Sequence, residues 1–185
     1  MSYTTFDRFI AWRRFCAARP HIREGALVCD IGCGLDARFL TWLGPRIRGG
    51  LGLDYQASNV SSPVPVVLAD ITQNLPVKSG RFDHAVMLAV LEHLREPENV
   101  LREAHRVLVP GGTLIMTWPA TAVDPILHML HGIGLVSKEM ESKKHEQRIP
   151  LPTLEAMLRE IGFDRFRHRT FELGLNNLLV AHKKG

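Results

Sequence analysis

The stretch from residue 27 to residue 38 constrains the fold of this chain more than any other. It reads LVCDIGCGLDAR: an apolar run over residues 27–31 is followed by Gly32 and Gly34, and then by residues that favour a helix. An apolar run of this length that breaks at a glycine turn is typical of a buried parallel strand. The turn needs glycine because its backbone angles are unusual and because the chain can then approach a ligand closely. The stretch therefore predicts a strand, a tight turn and a helix beside a nucleotide-like ligand.

Length and composition are those of one globular domain. Hydrophobic residues make up 45% and charged residues 23% of the 185 residues, close to the average for globular proteins. We therefore expect a single domain over residues 1–185. No apolar run approaches the roughly 20 residues that a bilayer span needs, and the N-terminus lacks the apolar segment of a secretory signal. These features predict a cytoplasmic protein without a transmembrane segment.

Cysteine and histidine usage gives no indication of a disulfide or metal site. Cys16, Cys29 and Cys33 are odd in number and lack Cys-x-x-Cys spacing, which indicates reduced thiols. Cys33 lies between the two glycines, but no His and Asn or Asp signature of a thiol enzyme accompanies it. The pattern therefore favours a small side chain in a crowded turn over a nucleophile. His128 and His131 have the spacing of metal ligands, but a clear third and fourth ligand is absent.

Strands alternate with helices along the chain. The predicted strands are residues 27–31, 50–54, 66–70, 85–90, 113–118, 163–170 and 178–182, and the predicted helices are residues 5–19, 39–43, 97–108 and 153–161. The helix that begins at Pro97 has the clearest apolar stripe, with Glu103 on the side expected to face water. This alternation predicts an α/β fold in which an open parallel sheet is covered on both faces and closed by an antiparallel hairpin.

Two segments lie outside the simple alternation. The N-terminal helix over residues 5–19 mixes aromatic and basic side chains, which suit a membrane surface or a nucleic acid. Packing across the top of the domain with solvated arginines is the simpler interpretation. Residues 119–150 follow the fifth strand at the carboxyl edge of the sheet, where an insertion covers a bound ligand. We interpret them as a candidate substrate lid, with an extra helix packed on the rim as the alternative.

The carboxylates near the glycine turn distinguish between ligands. Asp54 lies 20 positions after Gly34, where a βαβ unit brings an acidic side chain to ribose hydroxyls. Gly32-x-Gly34-x-x-Ala37 also satisfies the dinucleotide fingerprint, so an NAD-dependent oxidoreductase is a competing interpretation. Asp30 argues against NAD, because it would place a carboxylate beside a pyrophosphate. A cationic ligand reverses the sign of that interaction.

Several short motifs follow one another between residues 25 and 118. They are Val28-Cys29-Asp30-Ile31-Gly32-Cys33-Gly34, Gly52-Leu53-Asp54, Ala69-Asp70, Leu75-Pro76, Phe82-Asp83-His84-Ala85-Val86, Leu91-Glu92-His93-Leu94 and the run from Leu101 to Gly112. In this order they resemble class I S-adenosylmethionine-dependent methyltransferases of the type 11, or UbiE-like, small-molecule group. The sequence departs from that family at Asp36, where many members carry a third glycine, and in its short second crossover.

The resemblance implies a Rossmann-like mixed sheet of seven strands in the order 3-2-1-4-5-7-6, with strand 7 antiparallel, and S-adenosyl-L-methionine as the cofactor. The cofactor-binding residues that it implies are Asp30, Gly32, Cys33, Gly34, Asp54, Tyr55, Asp70, Ile71 and Leu88. By the same resemblance, Asp30 would lie near the amino group of the methionine moiety, Asp54 at the ribose hydroxyls and Asp70 at the adenine. Leu88 would line the pocket near the donor methyl group.

The sequence gives less information about the acceptor. His93, after the fourth strand, is the candidate general base where an acceptor must lose a proton, or it holds its loop by hydrogen bonds. Residues 87–90 lack the Asn-Pro-Pro-Tyr sequence used on exocyclic base amines, which argues against nucleic acid. We therefore expect a methyltransferase acting on a small molecule or a lipid or sugar precursor, recognised by residues 5–19 and 119–150. The alternatives are an NAD-dependent oxidoreductase and a non-catalytic donor-binding regulatory domain, and the oligomeric state stays open.

Overall fold

A seven-stranded sheet forms the centre of the protein in a computed structural model that describes residues 5–56, 62–120 and 149–185. Its strands are β1 (Leu27–Ile31), β2 (Gly49–Asp54), β3 (Val66–Leu68), β4 (Phe82–Leu88), β5 (Leu108–Pro119), β6 (Phe163–Phe171) and β7 (Asn176–Lys183). They lie in the order β3-β2-β1-β4-β5-β7-β6. β7 is antiparallel to both neighbours, and all other neighbouring pairs are parallel. The predicted strand order and orientation are confirmed.

Helices cover both faces of this sheet, as the alternation predicted. They are α1 (Thr5–Ala18), α2 (Arg38–Leu43), α3 (Pro97–Val107) and α4 (Leu151–Ile161), with short 3-10 turns at Arg19–His21, Gly44–Arg46 and Leu91–His93. On one face, Leu101 of α3 and Leu158 of α4 share a buried cluster with Met87 of β4. On the other face, Phe39 of α2 packs with Val86 of β4. Adjacent residues of β4 thus enter opposite clusters, because side chains alternate along a strand.

Several element boundaries differ from those expected. α4 begins at Leu151, two residues earlier, because the prolines on either side of Leu151 suit the first turn of a helix. β3 and β4 end two residues early, at Leu68 and Leu88; for β3 this is where its pairing with β2 stops. β5 begins five residues early, at Leu108, which pairs with Phe82 ahead of an irregularity in the ladder.

Glu103 is buried, so the expectation that it faces water is wrong. Its Oε2 accepts the backbone N–H of Leu75 at 2.6 Å, and its Oε1 lies 2.6 Å from Nε of Arg106. Arg106 also donates to the carbonyl oxygens of Leu75 and Val77. The loop between β3 and β4 therefore folds over this side of α3, a long-range contact that helical periodicity does not reveal.

Two segments named in the sequence analysis cannot be compared with the structure. Residues 57–61 belong to the second crossover, and residues 121–148 make up most of the candidate lid and contain His128 and His131; both lie outside the described residues. Among the helices that are described, none combines the length and the apolar character needed to cross a bilayer.

Candidate functional site

The glycine turn between β1 and α2 is held against the end of β2. The backbone N–H groups of Gly32 and Cys33 both donate to the carbonyl oxygen of Leu53, at 2.7 and 3.2 Å. Gly32 has φ +79° and Gly34 has φ +73°, angles that side chains with a Cβ rarely adopt. A Cβ on Gly32 would also collide with the side chain of Val90. The turn thus requires glycine at position 32 for conformation and for space.

Cys33 points from this turn toward β2. A Cβ added to Gly52 would lie 2.6 Å from its Sγ, so thiol and strand are in close contact. Burial raises the pKa of the Cys33 thiol well above its ordinary value, and the charges of Asp30 and Asp54 raise it further. The thiol is therefore neutral at physiological pH, which suits packing and not nucleophilic attack.

Asp54, at the carboxyl end of β2, connects the turn to the next loop. Its Oδ2 accepts the backbone N–H of Gly34 at 2.9 Å, and its Oδ1 accepts that of Gln56, also at 2.9 Å. Each carboxylate oxygen can accept a second hydrogen bond, so the side chain retains capacity for two hydroxyl donors. The 20-residue spacing in the sequence thus corresponds to a direct contact, and Asp54 fixes the turn as well as facing the cavity.

The Asp30 carboxyl group is buried near the carboxyl end of β1. Its side chain is only 3% exposed, and among the described residues no hydrogen-bond donor reaches it. Burial, followed by the charge of Asp54, raises the pKa of Asp30 to about 7. A buried carboxylate without donors is stabilised by a cation, so the residue present at this position fits a positively charged ligand.

The ends of β3 and β4 complete the same edge of the sheet. Asp70 is exposed, and its Oδ1 accepts the hydroxyl and the backbone N–H of Thr72, at 2.7 and 2.9 Å, which lowers the pKa of Asp70. Ile71 beside it is buried. After Leu88, the chain turns at Ala89, which has φ +61° and donates its N–H to the carbonyl oxygen of a β5 residue at 2.9 Å. β4 therefore ends here and not at residue 90.

His93 lies at the end of the 3-10 turn that follows β4. Its backbone N–H donates to the carbonyl oxygen of Val90 at 3.0 Å, and its half-buried side chain lines the cavity. Glu92 beside it is buried and lines the same cavity. The position is compatible with both interpretations of His93, as a base and as a residue that holds its loop.

The N-terminal helix forms one wall of the site. Asp7, Arg8 and Arg14 of α1 line the cavity with Phe15. Nε of Arg14 donates to Oδ1 of Asn176 at 3.3 Å. Burial lowers the pKa of Arg14, while the carboxylates of Glu92 and Glu172 oppose that shift. The expected role of residues 5–19 in recognising the acceptor did not single out Asp7 or Arg14, and Glu92 was expected only as part of a motif. The packing of α1 beside β5 and the start of β7 is a tertiary contact without a local sequence motif.

A single cavity of about 980 Å³ brings these groups together. All nine residues expected to bind the cofactor line it, and so does the candidate base: Asp30, Gly32, Cys33, Gly34, Asp54, Tyr55, Asp70, Ile71, Leu88 and His93. Tyr55 is 67% exposed at the rim of this cavity. Within the described part of the chain, no group of three or more His, Cys, Asp or Glu side chains is arranged to hold a metal ion.

Comparison with known proteins finds similarity to methyltransferases. The family model for a methyltransferase domain matches residues 29–116. The ubiquinone/menaquinone biosynthesis C-methyltransferase UbiE of Pseudomonas savastanoi is 27% identical over 194 residues, covering 89% of this chain and 75% of that protein.

Solved structures establish the fold independently of the sequence motifs. A SAM-dependent methyltransferase from Archaeoglobus fulgidus superposes with a TM-score of 0.71 at 15% identity, covering 95% of this chain and 94% of that one. A SAM-dependent methyltransferase from Thermotoga maritima, a possible histamine N-methyltransferase, superposes with a TM-score of 0.70 at 21% identity. The superposition covers 96% of this chain and 90% of that one. The family match and the UbiE relatives support a class I S-adenosylmethionine-dependent methyltransferase with S-adenosyl-L-methionine as its cofactor, and these solved structures share its fold.

Proposed function

We propose that this protein transfers a methyl group in line from S-adenosylmethionine to a small-molecule acceptor or to the exposed end of a lipid or sugar precursor. The observation that carries the proposal is the buried Asp30 carboxyl group, which lies beside the glycine turn in the same cavity as Asp54 and Asp70. The cofactor supplies an activated methyl group on a positively charged sulfur. The protein's task is then to bind, orient and exclude water, and orientation alone contributes roughly 7–11 kcal/mol to such reactions.

We assign the cofactor residues by their environments. Asp30, buried and without a hydrogen-bond donor in the described part of the chain, receives the ammonium group of the methionine moiety. Asp54, already fixed by two backbone N–H groups, accepts the ribose hydroxyls. Asp70 and Ile71 lie at the adenine end of the site. The exposed Asp70 suits the polar edge of the base, and the buried Ile71 suits its apolar face.

The acceptor occupies the part of the cavity between α1 and the ends of β4 and β5. That part is lined by side chains of both charges, including Arg14 and Glu92, and by His93. For an acceptor hydroxyl, His93 takes the proton; for an already nucleophilic carbon or nitrogen, no base is required. UbiE proteins are named as C-methyltransferases of quinone biosynthesis, which supports an acceptor of low molecular mass with an apolar part.

Calorimetry with S-adenosylhomocysteine and with NAD tests the assignment of the ligand. We expect the first to bind and the second to show no heat of binding. Asp54→Ala should lose most of the affinity for S-adenosylhomocysteine, whereas Asp164→Asn, a change on β6 outside the cavity, should retain it. Retained affinity in Asp54→Ala would remove the ribose assignment, and NAD binding would replace the proposal by the oxidoreductase alternative.

Turnover distinguishes an enzyme from a donor-binding regulatory domain. A panel of phenols, amines and quinone precursors, assayed by formation of S-adenosylhomocysteine from S-adenosylmethionine, should contain at least one methylated acceptor. His93→Gln should abolish the pH dependence of turnover on a phenol if His93 is the base, and should leave it unchanged if His93 only holds its loop. Donor binding without turnover on any member of the panel would count against the in-line transfer proposed here.

A further inference from the structure

Three large aromatic side chains remain exposed on the outer surface of α1 and α2. Phe9 is 52% exposed, Trp12 44% and Trp42 39%. Phe9 and Trp12 lie three residues apart on α1, with ring centroids separated by 6.0 Å. Trp42 of α2 contacts Phe15 of α1 at a centroid distance of 5.9 Å, so the two helices present one continuous surface. We call Phe9, Trp12 and Trp42 the aromatic face.

Arginines surround the aromatic face. Arg8 is exposed on the same side of α1 as Trp12, since the two positions are four residues apart, and Arg19 is exposed directly after the end of α1. The guanidinium group of Arg19 lies 5.7 Å from the ring centroid of Trp42. Arg38, exposed at the start of α2, forms an ion pair with Asp36 at 3.0 Å. The surface therefore combines exposed rings with an excess of positive charge.

The same surface adjoins the mouth of the cavity. Arg8, Leu35 and Arg38 line the cavity, and all three are exposed. Leu35 adds an aliphatic side chain that is 42% exposed. A molecule held at the aromatic face is thus close to the entrance through which an acceptor reaches the ends of the strands.

We propose that the aromatic face docks on an anionic lipid bilayer and presents the cavity mouth to a lipid-borne acceptor. Aromatic rings, Trp above all, favour the boundary between headgroups and acyl chains, and arginines beside them are attracted by anionic lipids. Single-stranded nucleic acid fits less well: the rings of Phe9 and Trp12 are tilted by 35°, and Arg19 already lies over Trp42. The docking itself is argued only from these contacts. The lipid-borne acceptor also depends on the proposed function.

Co-sedimentation of the full chain with vesicles tests the docking. We expect binding to vesicles of phosphatidylglycerol and phosphatidylcholine, weak binding to phosphatidylcholine alone, and weakening by salt. The tryptophan emission should shift to the blue, because Trp12 and Trp42 leave water. The double variant Phe9→Ser/Trp12→Ser should lower the partition coefficient by at least about tenfold, and Arg19→Gln by roughly fivefold.

Leu68→Ser is the matched control. Leu68 is 69% exposed, but it lies on the edge strand β3, outside both helices of the aromatic face. The Leu68→Ser variant should bind vesicles as tightly as the unmodified chain does. All of these variants remove exposed side chains, and unchanged far-ultraviolet circular dichroism and unchanged affinity for S-adenosylhomocysteine would show that fold and cofactor site are retained.

Each of several results would overturn the docking proposal. A chain that does not bind vesicles, or that binds neutral and anionic vesicles equally, would contradict an anionic bilayer as the partner. An unaltered partition coefficient in the double variant would contradict the role of the aromatic face. A dimer that the double substitution dissociates, or tighter binding of an oligonucleotide than of vesicles, would assign the surface to another partner. Failure of the proposed function is separate, because loss of S-adenosylhomocysteine binding in calorimetry does not depend on lipid. Docking with methylation of water-soluble acceptors alone would remove the lipid-borne acceptor.

Discussion

Replacing Asp30 by asparagine should stabilise the protein without ligand while it removes cofactor binding. The pKa of Asp30 is about 7 in the folded protein, against an ordinary value of 3.8. Between these values Asp30 holds a proton in the folded chain that it has released in the unfolded chain, so the contribution of Asp30 to stability falls as pH rises from about 4 to 7. At about 1.4 kcal/mol per pH unit, the whole shift corresponds to roughly 4 kcal/mol. Asparagine has no charge to bury and avoids this cost.

Urea denaturation of Asp30→Asn and the unmodified chain at pH 5 and pH 8 measures the effect. Within this range, the stability of the unmodified chain depends on Asp30 only between pH 5 and the folded pKa of about 7, an interval of two pH units. The stability advantage of the variant should therefore be about 3 kcal/mol larger at pH 8 than at pH 5. Other titrating groups cancel in this difference. Asp70→Asn is the matched control. Asp70 is exposed and its pKa is lowered, so it is ionised in both the folded and the unfolded chain throughout this range. The stability difference between this variant and the unmodified chain should therefore not change with pH.

Ligand binding should show the opposite preference. A cationic ligand favours ionised Asp30, so the affinity for S-adenosylmethionine should rise with pH by up to about tenfold per unit until pH 7. Asp30→Asn should bind weakly and without this pH dependence in calorimetry. An equal stability gap at pH 5 and pH 8, or a variant that is less stable at pH 8, would refute the argument that burial strains this carboxylate.

Three further predictions concern folding. Gly32→Ala should lower the free energy of unfolding by about 1–3 kcal/mol more than Gly25→Ala, because both residues have positive φ but only a Cβ at position 32 meets a neighbouring side chain; equal urea midpoints for the two variants would contradict this. Burial lowers the pKa of His84 to about 4 and leaves it neutral, with Nε2 accepting a backbone N–H at 3.0 Å. The contribution of His84 to stability should therefore fall by about 3 kcal/mol as pH drops from 6.5 to 4, opposite in sign to that of Asp30, and the stability difference between His84→Gln and the unmodified chain should change by that amount over this range in thermal melts. Glu103→Ala should cost about 2–3 kcal/mol, because a buried backbone N–H and an arginine lose their acceptor, whereas Glu98→Ala, which removes an exposed ion pair, should cost under about 1 kcal/mol in the same denaturation assay.

The parts of the fold and site that depend on local sequence were predictable. The strand, glycine turn and helix around Gly32 follow from backbone conformation, and the spacing from Gly34 to Asp54 places a carboxylate at the next strand end. The environment of these groups was not predictable in the same way. The spacing does not reveal that Asp54 accepts the N–H of Gly34, and periodicity placed Glu103 in water, because a loop distant in sequence covers it. The hydrogen bond of Arg14 to Asn176, at the start of β7, likewise depends on how α1 docks.

The three aspartates at the ends of β1, β2 and β3 explain how one edge of a sheet can distinguish the parts of a single ligand. Asp30 is the penultimate residue of β1, Asp54 is the last residue of β2, and Asp70 follows the end of β3 by two residues. A difference in environment, not in residue type, separates their roles. Asp30 is buried and its pKa is raised, Asp54 has two backbone N–H donors, and Asp70 is exposed and bonded to Thr72. A buried carboxylate gains most from a cation, a preorganised one from hydroxyl donors, and a solvated one contributes polarity at a rim. A cationic amino acid joined through a ribose to a base meets these three requirements in the order of the strands, whereas a pyrophosphate placed at Asp30 would oppose the first.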